Sequence, residues 1–208
     1  MKKSIYTFAN TIFLKTVCVF AIAFAAGLSA FAQQPAPSAP VSQEKTAEPP
    51  LTLALVFERQ HSNLEREIVP TAEAMPEEKF NFAPTQGEFK GVRTFAQQVT
   101  HVAYVNHLLA AALLGQPAPA ETEKEYGPAD IKTKAAAVQY LKDSFAAAHQ
   151  AVASATAANL LEMLRNPFGK GTMSRLAQCV IFLSHGMDHY GQMVEYLRMN
   201  GIIPPASR

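Results

Sequence analysis

Apolar residues recur at intervals of three and four along four segments of the chain, and this spacing predicts four amphipathic helices. The predicted helices extend from about Thr52 to Ile68, from Thr94 to Leu114, from Asp130 towards Leu164, and from Thr172 to Asn200. We find no convincing run in which apolar and polar residues alternate, the pattern that predicts a half-buried strand. The expected fold is therefore all-α, and four helices of this length favour a four-helix bundle.

Turn-forming residues separate the predicted helices. Pro70 is expected to end the first helix, and Asp130 is expected to cap the N terminus of the third. The connection at 115–130 contains three prolines and several glutamates, which favours an exposed loop. Residues 166–172, NPFGKGT, have the composition of a turn. Their GKGT lacks the GxxxxGK[ST] spacing of a phosphate loop, so we predict no phosphate site there.

The N-terminal 32 residues have the three-part layout of a secretory signal peptide. Two lysines precede an apolar run that extends to Leu28, and Ala30-Phe31-Ala32 provides a small-residue cleavage site. A retained membrane anchor is the alternative, but only 17 residues of this segment follow Lys15, whereas about 20 apolar residues span a bilayer. We therefore expect cleavage after Ala32 and export to the periplasm or the medium, with no membrane attachment afterwards.

The rest of the chain divides into a linker and one domain. Residues 33–50 contain five prolines and few large apolar side chains, which predicts a disordered linker. Residues 51–208 are long enough for one domain with its own core. Without the signal peptide the chain carries 15 basic and 17 acidic side chains, a balance that gives no reason to expect a nucleic-acid partner. Cys179 is then the only cysteine, which excludes an internal disulfide.

Two histidines in the last predicted helix suggest a metal site. His185 and His189 are separated by about 40° around the helix axis, so their imidazoles project from one face, one turn apart. Gln192 lies on the same side, and the face continues through Phe182 and Tyr196. An imidazole turned into a core needs a partner, because an unsatisfied buried polar group costs about 1–3 kcal/mol. Hydrogen bonds within the core would meet that need as well as a metal ion would.

The second predicted helix supplies a third ligand. His101 and His107 lie about 120° apart around the axis, so they cannot share one site. His101 borders the apolar face marked by Phe95 and Val102, whereas His107 points nearly away from it. We therefore choose His101 as the ligand and expect His107 on the surface.

Further polar residues are candidates for contacts around the site. His61 follows the apolar stripe of the first predicted helix, and His149 borders that of the third; a hydrogen-bonded boundary histidine is the favoured interpretation of both. His61 is nevertheless kept, with Gln192 and Tyr196, as a residue that would orient an imidazole or contact the substrate. Asp188 projects towards the polar side of its helix, and we identify no general base.

Three passages of the domain resemble the DinB-like (DinB/YfiT) family of metalloenzymes. They are AMPEEKFNFAP at 74–84, RTFAQQVTHVA at 93–103, and HGMDHYGQMVEYLRMNGIIPP at 185–205. The last passage is similar to the closing helix of the family, in which HxxxHxGQ is followed by YLR, a glycine and two prolines. The resemblance covers about residues 51–205.

The resemblance implies a bundle in which one histidine of the second helix and two of the last hold a divalent ion, commonly zinc or nickel. The matching residues here are His101, His185 and His189, which the helix geometry also favours. It further implies a small-molecule substrate, since characterised relatives include transferases and isomerases that use low-molecular-weight thiols. Those relatives act in the cytoplasm, whereas this chain carries an export signal, so the resemblance leaves the reaction open.

We accordingly expect an exported metal-dependent enzyme with thiol S-transferase-like or hydrolytic activity. Three imidazoles leave coordination positions for water or substrate, as in catalytic rather than structural zinc sites. The alternatives are a non-catalytic metal-binding protein and a stress-associated bundle protein whose histidines are bonded within the core. An all-imidazole site suits zinc, nickel, copper or iron, and the sequence is compatible with a homodimer.

Overall fold

The computed structural model describes residues 50–120 and 126–208, which contain four long helices and one short hairpin. The helices are α1 (Leu53–Ala74), α2 (Phe95–Leu113), α3 (Lys134–Ala153) and α4 (Arg175–Met199), and the strands are β1 (Met163–Arg165) and β2 (Thr172–Ser174). Single 3-10 turns lie at Glu77–Lys79 and Pro205–Ser207. The predicted signal peptide and the predicted linker as far as residue 49 lie outside the described residues. Within 50–120 and 126–208, no helix is long and apolar enough to cross a membrane.

The all-α class and the four-helix bundle are confirmed. α1 and α2 each pack against both α3 and α4, so the four helices surround a shared interior. Each helix begins after a hydroxyl side chain that accepts a hydrogen bond from the backbone N–H three residues ahead, which satisfies one of the free donors of the first turn. These caps are Thr52, Thr94, Thr133 and Ser174.

Three helix boundaries differ from the sequence prediction. α1 continues through Pro70 because Thr71 and Ala72 are buried, and this burial offsets the backbone hydrogen bond that proline cannot donate. α3 begins after Thr133 rather than Asp130, since the Thr133 hydroxyl accepts from the backbone of Ala136 at 3.2 Å. α3 also ends at Ala153, well short of the predicted extension towards residue 164.

The hairpin before α4 was not expected from the hydrophobic pattern. Its strands pair antiparallel over three residues each, which is too short for alternation to show. Arg175 supports it from the first turn of α4: its guanidinium donates to the carbonyl of Leu113 at 3.0 Å and to the carboxylate of Glu162 at 2.8 Å. The turn predicted at 166–172 is confirmed as the connection between the strands, and α4 consequently starts at Arg175 instead of Thr172.

The interior contains two apolar clusters. One includes Ile68, Phe95, Val99, Leu141, Phe145, Met193 and Leu197. The other includes Phe57, Val105, Leu109, Val152, Cys179 and Phe182. Along α4 the buried residues change from the second cluster to the first between Phe182 and Met193, which flank the two histidines. Along α2 the change falls between Ala103 and Tyr104, shortly after His101, so the candidate site lies inside the bundle close to the boundary between its two cores. Gly186 allows a close approach there, because a Cβ at this position would lie 2.5 Å from a methyl carbon of Leu64 on α1.

Candidate metal centre

His101, His185 and His189 come together between α2 and α4. One ring nitrogen of each lies within 4.8 Å of the others, and this is the one such group of histidine, cysteine or acidic side chains among the residues described. The Nε2 atoms of His101 and His185 are 3.1 Å apart. The ring centroids are separated by 4.4 Å for the two α4 histidines, by 5.0 Å for His101 and His185, and by 4.7 Å for His101 and His189. The three residues predicted as ligands therefore share one site.

The environment of His185 and His189 keeps these two imidazoles neutral. Burial, together with the neighbouring His189 and His101, lowers the pKa of His185 to about 3, and only Asp188 acts to raise it. Burial likewise lowers the pKa of His189 to about 3, with contributions from His101 and Arg93. Neutral imidazole carries a lone pair on one ring nitrogen, which is the form that ligates metals.

The donor set fits a divalent ion. Imidazole nitrogens are borderline ligands that suit zinc and nickel. The Nδ1 atom of His185 is buried and has no hydrogen-bond partner among the described atoms. Buried polar atoms normally have a partner, so the site contains a ring nitrogen that the described residues do not satisfy. The three histidines can hold a metal ion, and among the described residues the group of possible ligands contains no carboxylate.

Gln98 orients His189 and was missed in the sequence analysis. It is buried on α2, and its Oε1 atom lies 2.5 Å from Nδ1 of His189. Its Nε2 donates at 2.8 Å to Oε1 of Gln192, whose own Nε2 donates at 3.0 Å to Asp188. Gln192, a predicted outer contact, is therefore one residue removed from the imidazole. The signal for Gln98 was its place one helical turn before His101, within the passage at 93–103.

The other two predicted contacts make no described bond to the three histidines, although Tyr196 interacts with the side chain of Gln98. The hydroxyl of Tyr196 donates to the backbone carbonyl of Arg93 at 3.0 Å. His61 is fully buried, its Nδ1 bonds to the carbonyl of Phe57 at 2.8 Å, and its ring meets the edge of Phe182 with centroids 5.1 Å apart. Among the described hydrogen bonds, none joins Tyr196 or His61 to the three site histidines, and His61 has the contacts of a core histidine.

The two remaining histidines lie at the interfaces of α3. His107 is half-buried against Tyr140, with 5.0 Å between ring centroids, so its prediction as a surface residue is wrong: α3 covers that side of α2. His149 lies between two α1 carboxylates, with Nε2 2.9 Å from Glu65 and Nδ1 2.9 Å from Glu58. Its interpretation as a hydrogen-bonded boundary histidine is confirmed.

Arg93 and Tyr126 lie close together near the N terminus of α2. The guanidinium carbon of Arg93 is 5.5 Å from the ring centroid of Tyr126, within the range of a cation–π contact. Tyr126 also lines a cavity of about 630 Å³, within the usual size of small-molecule sites. Gln97 forms another part of its wall and lies about 40° from His101 around the α2 axis, one turn away. The cavity thus borders the side of α2 that carries a site histidine.

Comparison with known proteins supports the fold. The family model of the DinB superfamily matches residues 57–193. The crystal structure of a DinB-like protein from Bacillus cereus is similar, with a TM-score of 0.56 and 16% sequence identity; the alignment covers 72% of this chain and 93% of that chain. At this identity the structural similarity is evidence for the fold alone. No curated protein matches the chain significantly.

Proposed function

This chain belongs to the DinB superfamily, and from that premise we propose that it is an exported metal-dependent enzyme acting on a small molecule. The proposed ligands of its divalent ion are His101, His185 and His189. The observation that carries the proposal is the convergence of three histidine ring nitrogens from two helices, within 4.8 Å of one another, inside the bundle. Zinc and nickel are the proposed ions, because both accept imidazole ligands.

When bound, an ion with three neutral protein ligands supplies a Lewis acid with open positions, which lowers the pKa of a thiol or of water. The residues of the protein orient and shield this chemistry. Gln98 holds the ring of His189, and the burial of His101 and His189 keeps bulk water from two of the three ligands. The positive charge of Arg93, which acts on both α4 histidines, favours an anionic group at the site.

Two features favour a thiol over water as the nucleophile. Asp188 is the carboxylate that acts on His185, but it is solvent-exposed and bound to Gln192 at 3.0 Å, which places it poorly as a general base. A thiol has less need of a base, because its ordinary pKa of about 8.5 is far below the value of about 15.7 for water. We therefore propose thiol S-transferase-like activity, with hydrolysis as the second candidate.

Metal analysis of the purified protein tests the ligand assignment. Wild type and His149→Ala should each contain about one equivalent of zinc or nickel after loading and desalting, whereas His185→Ala should contain almost none. His149 is the matched control, because it is a histidine of the same bundle outside the site. Equal, near-zero metal in all three proteins would refute the metal site and favour a bundle protein whose histidines bond only within the core.

Activity assays then separate an enzyme from a metal carrier. The metal-loaded protein is tested for conjugation of 2-mercaptoethanol to 1-chloro-2,4-dinitrobenzene and for hydrolysis of 4-nitrophenyl acetate. Rate enhancement that is lost in His185→Ala supports catalysis, and the reaction that is enhanced selects between the two candidates. A protein that binds metal but accelerates neither reaction would favour the non-catalytic alternative. Export is tested separately, since cleavage after Ala32 would leave Gln33 as the N-terminal residue.

A further inference from the structure

A chain of side-chain hydrogen bonds connects the surface of α4 to one of the proposed ligands. We infer that Asp188 sets the tautomer of His189 through Gln192 and Gln98, so that the lone pair of Nε2 faces the site. The three residues would act as positioning residues. Their importance for metal binding rests on the proposed function, but the tautomer itself is a property of the metal-free protein and is tested without the metal.

The links of this chain are short and continuous. Nε2 of Gln192 donates to Oδ2 of Asp188 at 3.0 Å, four residues earlier on α4. Nε2 of Gln98 then crosses from α2 and donates to Oε1 of Gln192 at 2.8 Å. Oε1 of Gln98 lies 2.5 Å from Nδ1 of His189. Three hydrogen bonds therefore lead from a carboxylate at the surface to a buried imidazole.

The carboxylate of Asp188 determines the donor-to-acceptor direction of these hydrogen bonds. A carboxylate only accepts hydrogen bonds, so Gln192 must turn its NH₂ group towards Asp188 and its carbonyl oxygen towards Gln98. Gln98 then has to donate to that oxygen, which leaves its own carbonyl oxygen facing His189. An oxygen in that position accepts from an N–H, so Nδ1 of His189 carries the proton and Nε2 carries the lone pair.

The reverse orientation is excluded by the same residue. If both amides were flipped, the carbonyl oxygen of Gln192 would face the carboxylate of Asp188, and two acceptors would oppose each other without a proton between them. An amide in place of this carboxylate would permit either orientation. The negative charge of Asp188 therefore sets the direction of the chain at Gln192, and Tyr196 is a second neighbour of the Gln98 amide.

Burial explains why the charge lies at the far end of the chain. Gln98 is only 1% exposed, Gln192 is half-buried and Asp188 is exposed. A carboxylate beside His189 would have to be desolvated in the bundle interior, which is strongly unfavourable. Instead, two neutral amides, each oriented by its neighbour, connect the carboxylate to His189, and the charge stays in water. The carboxylate can thus orient a ligand without adding a buried charge to the site.

Nitrogen NMR of the metal-free protein tests this inference directly. Long-range ¹H–¹⁵N correlations distinguish a protonated from an unprotonated ring nitrogen, and His189 of the wild type should show the Nδ1–H form. Asp188→Asn should give a mixture of the two tautomers, because an asparagine amide can donate or accept. Glu195→Gln is the matched control: it also converts an exposed α4 carboxylate to an amide, and it should leave His189 unchanged.

Metal affinity provides a second readout. If Asp188→Asn populates both tautomers equally, half of the protein is competent to bind, and the apparent Kd for zinc should rise about twofold. Gln98→Met keeps the length of the side chain but removes the acceptor, and it should weaken binding about 10- to 100-fold, as expected for the loss of a hydrogen-bond partner of a ligand. Since residue 188 is exposed, its variant tests the inference even if the Gln98 variant does not fold.

Two results would overturn the inference: a wild-type His189 in the Nε2–H form, or an Asp188→Asn spectrum identical to wild type. Failure of the proposed function gives a different pattern. In that case no metal binds, while the tautomer of His189 still depends on residue 188.

Discussion

The interface between α2 and α4 contains His185 and His189, the interface between α1 and α3 contains His149, and the pKa of His149 shifts in the opposite direction from the other two. Burial lowers the pKa values of His185 and His189, both to about 3. For His149, burial also lowers the pKa, but hydrogen bonds to Glu65 and Glu58 outweigh it and raise the pKa above its ordinary value. The difference arises from the partners, since His189 bonds to the amide of Gln98, whereas His149 lies between two carboxylates.

This contrast shows what separates a ligand from a structural histidine in one bundle. Both ring nitrogens of His149 lie 2.9 Å from a glutamate carboxylate, and in the protonated form that these carboxylates favour neither nitrogen has a lone pair for a metal ion. At the site, Gln98 bonds to Nδ1 of His189 and leaves Nε2 of that ring for a metal ion. A spacing of four residues between histidines does not make this distinction, which depends on the side chains of the neighbouring helix.

The largest expected effect is the acid sensitivity of the metal-free protein. The folded pKa values of His185 and His189 lie below the unfolded value of about 6.5, so the unfolded chain binds more protons between pH 6.5 and about 3. Stability should therefore fall as the pH decreases through that range, by as much as about 2.7 kcal/mol per pH unit for the two groups. Urea denaturation at several pH values measures this slope.

The double variant His185→Gln/His189→Gln isolates the contribution of these two residues. Its stability should decline less steeply with acid than that of the wild type, because the carboxylates titrate in both proteins and only the histidine contribution is removed. Equal slopes in the two proteins would contradict the assignment of neutral imidazoles to this site.

A smaller effect, of opposite sign, is expected at His149. Its folded pKa is raised, so its contribution to stability is fully present below about pH 6.5 and is lost as the pH rises through the folded pKa. The half-exposed ion pairs limit this contribution to about 1 kcal/mol. In Glu58→Gln/Glu65→Gln the burial of the ring should dominate, and the pKa of His149 should fall below its ordinary value. NMR titration of the His149 ring protons measures the change.

His149→Gln is the reference for that experiment, because it removes the titrating group and should flatten the stability profile above pH 6.5. If the double glutamine variant kept a raised pKa at His149, the carboxylates would not be the cause of the contrast between the two interfaces.

The smallest effect is expected at Arg93. Arg93→Gln removes a positive charge that lowers the pKa values of His185 and His189, so both values should rise in the metal-free protein. In the metal-loaded protein, binding of 2-mercaptoethanol should weaken by no more than about fivefold, corresponding to about 1 kcal/mol for a charge in a water-like environment. Spectroscopic titration of cobalt-loaded protein measures the Kd. Lys90→Gln removes an exposed charge from the same segment and should have no effect.

The helices and the proposed ligands could be predicted because both follow from local geometry. The apolar stripes identified all four helices, and the 40° offset placed His185 and His189 on one face. The helix ends were predicted less well: α1 continues through Pro70, and α3 starts at a cap three residues later than expected. These boundaries depend on packing and on which of several neighbouring residues caps the helix. The periodic pattern of apolar residues contains no information on either.

The amino-acid sequence by itself determined the helical period, and with it which side chains share a face of each helix. Tertiary structure alone decided which faces meet. The rotation of α2 against α4 brings Gln98 to His189, and the packing of α1 on α3 gives His149 its two glutamates. Helix periodicity arises from hydrogen bonds within one segment, whereas the register between helices arises from contacts such as that of Gly186 with Leu64. For that reason His185 and His189 could be selected from the sequence, whereas Gln98, which bonds to a ring nitrogen of His189, could not.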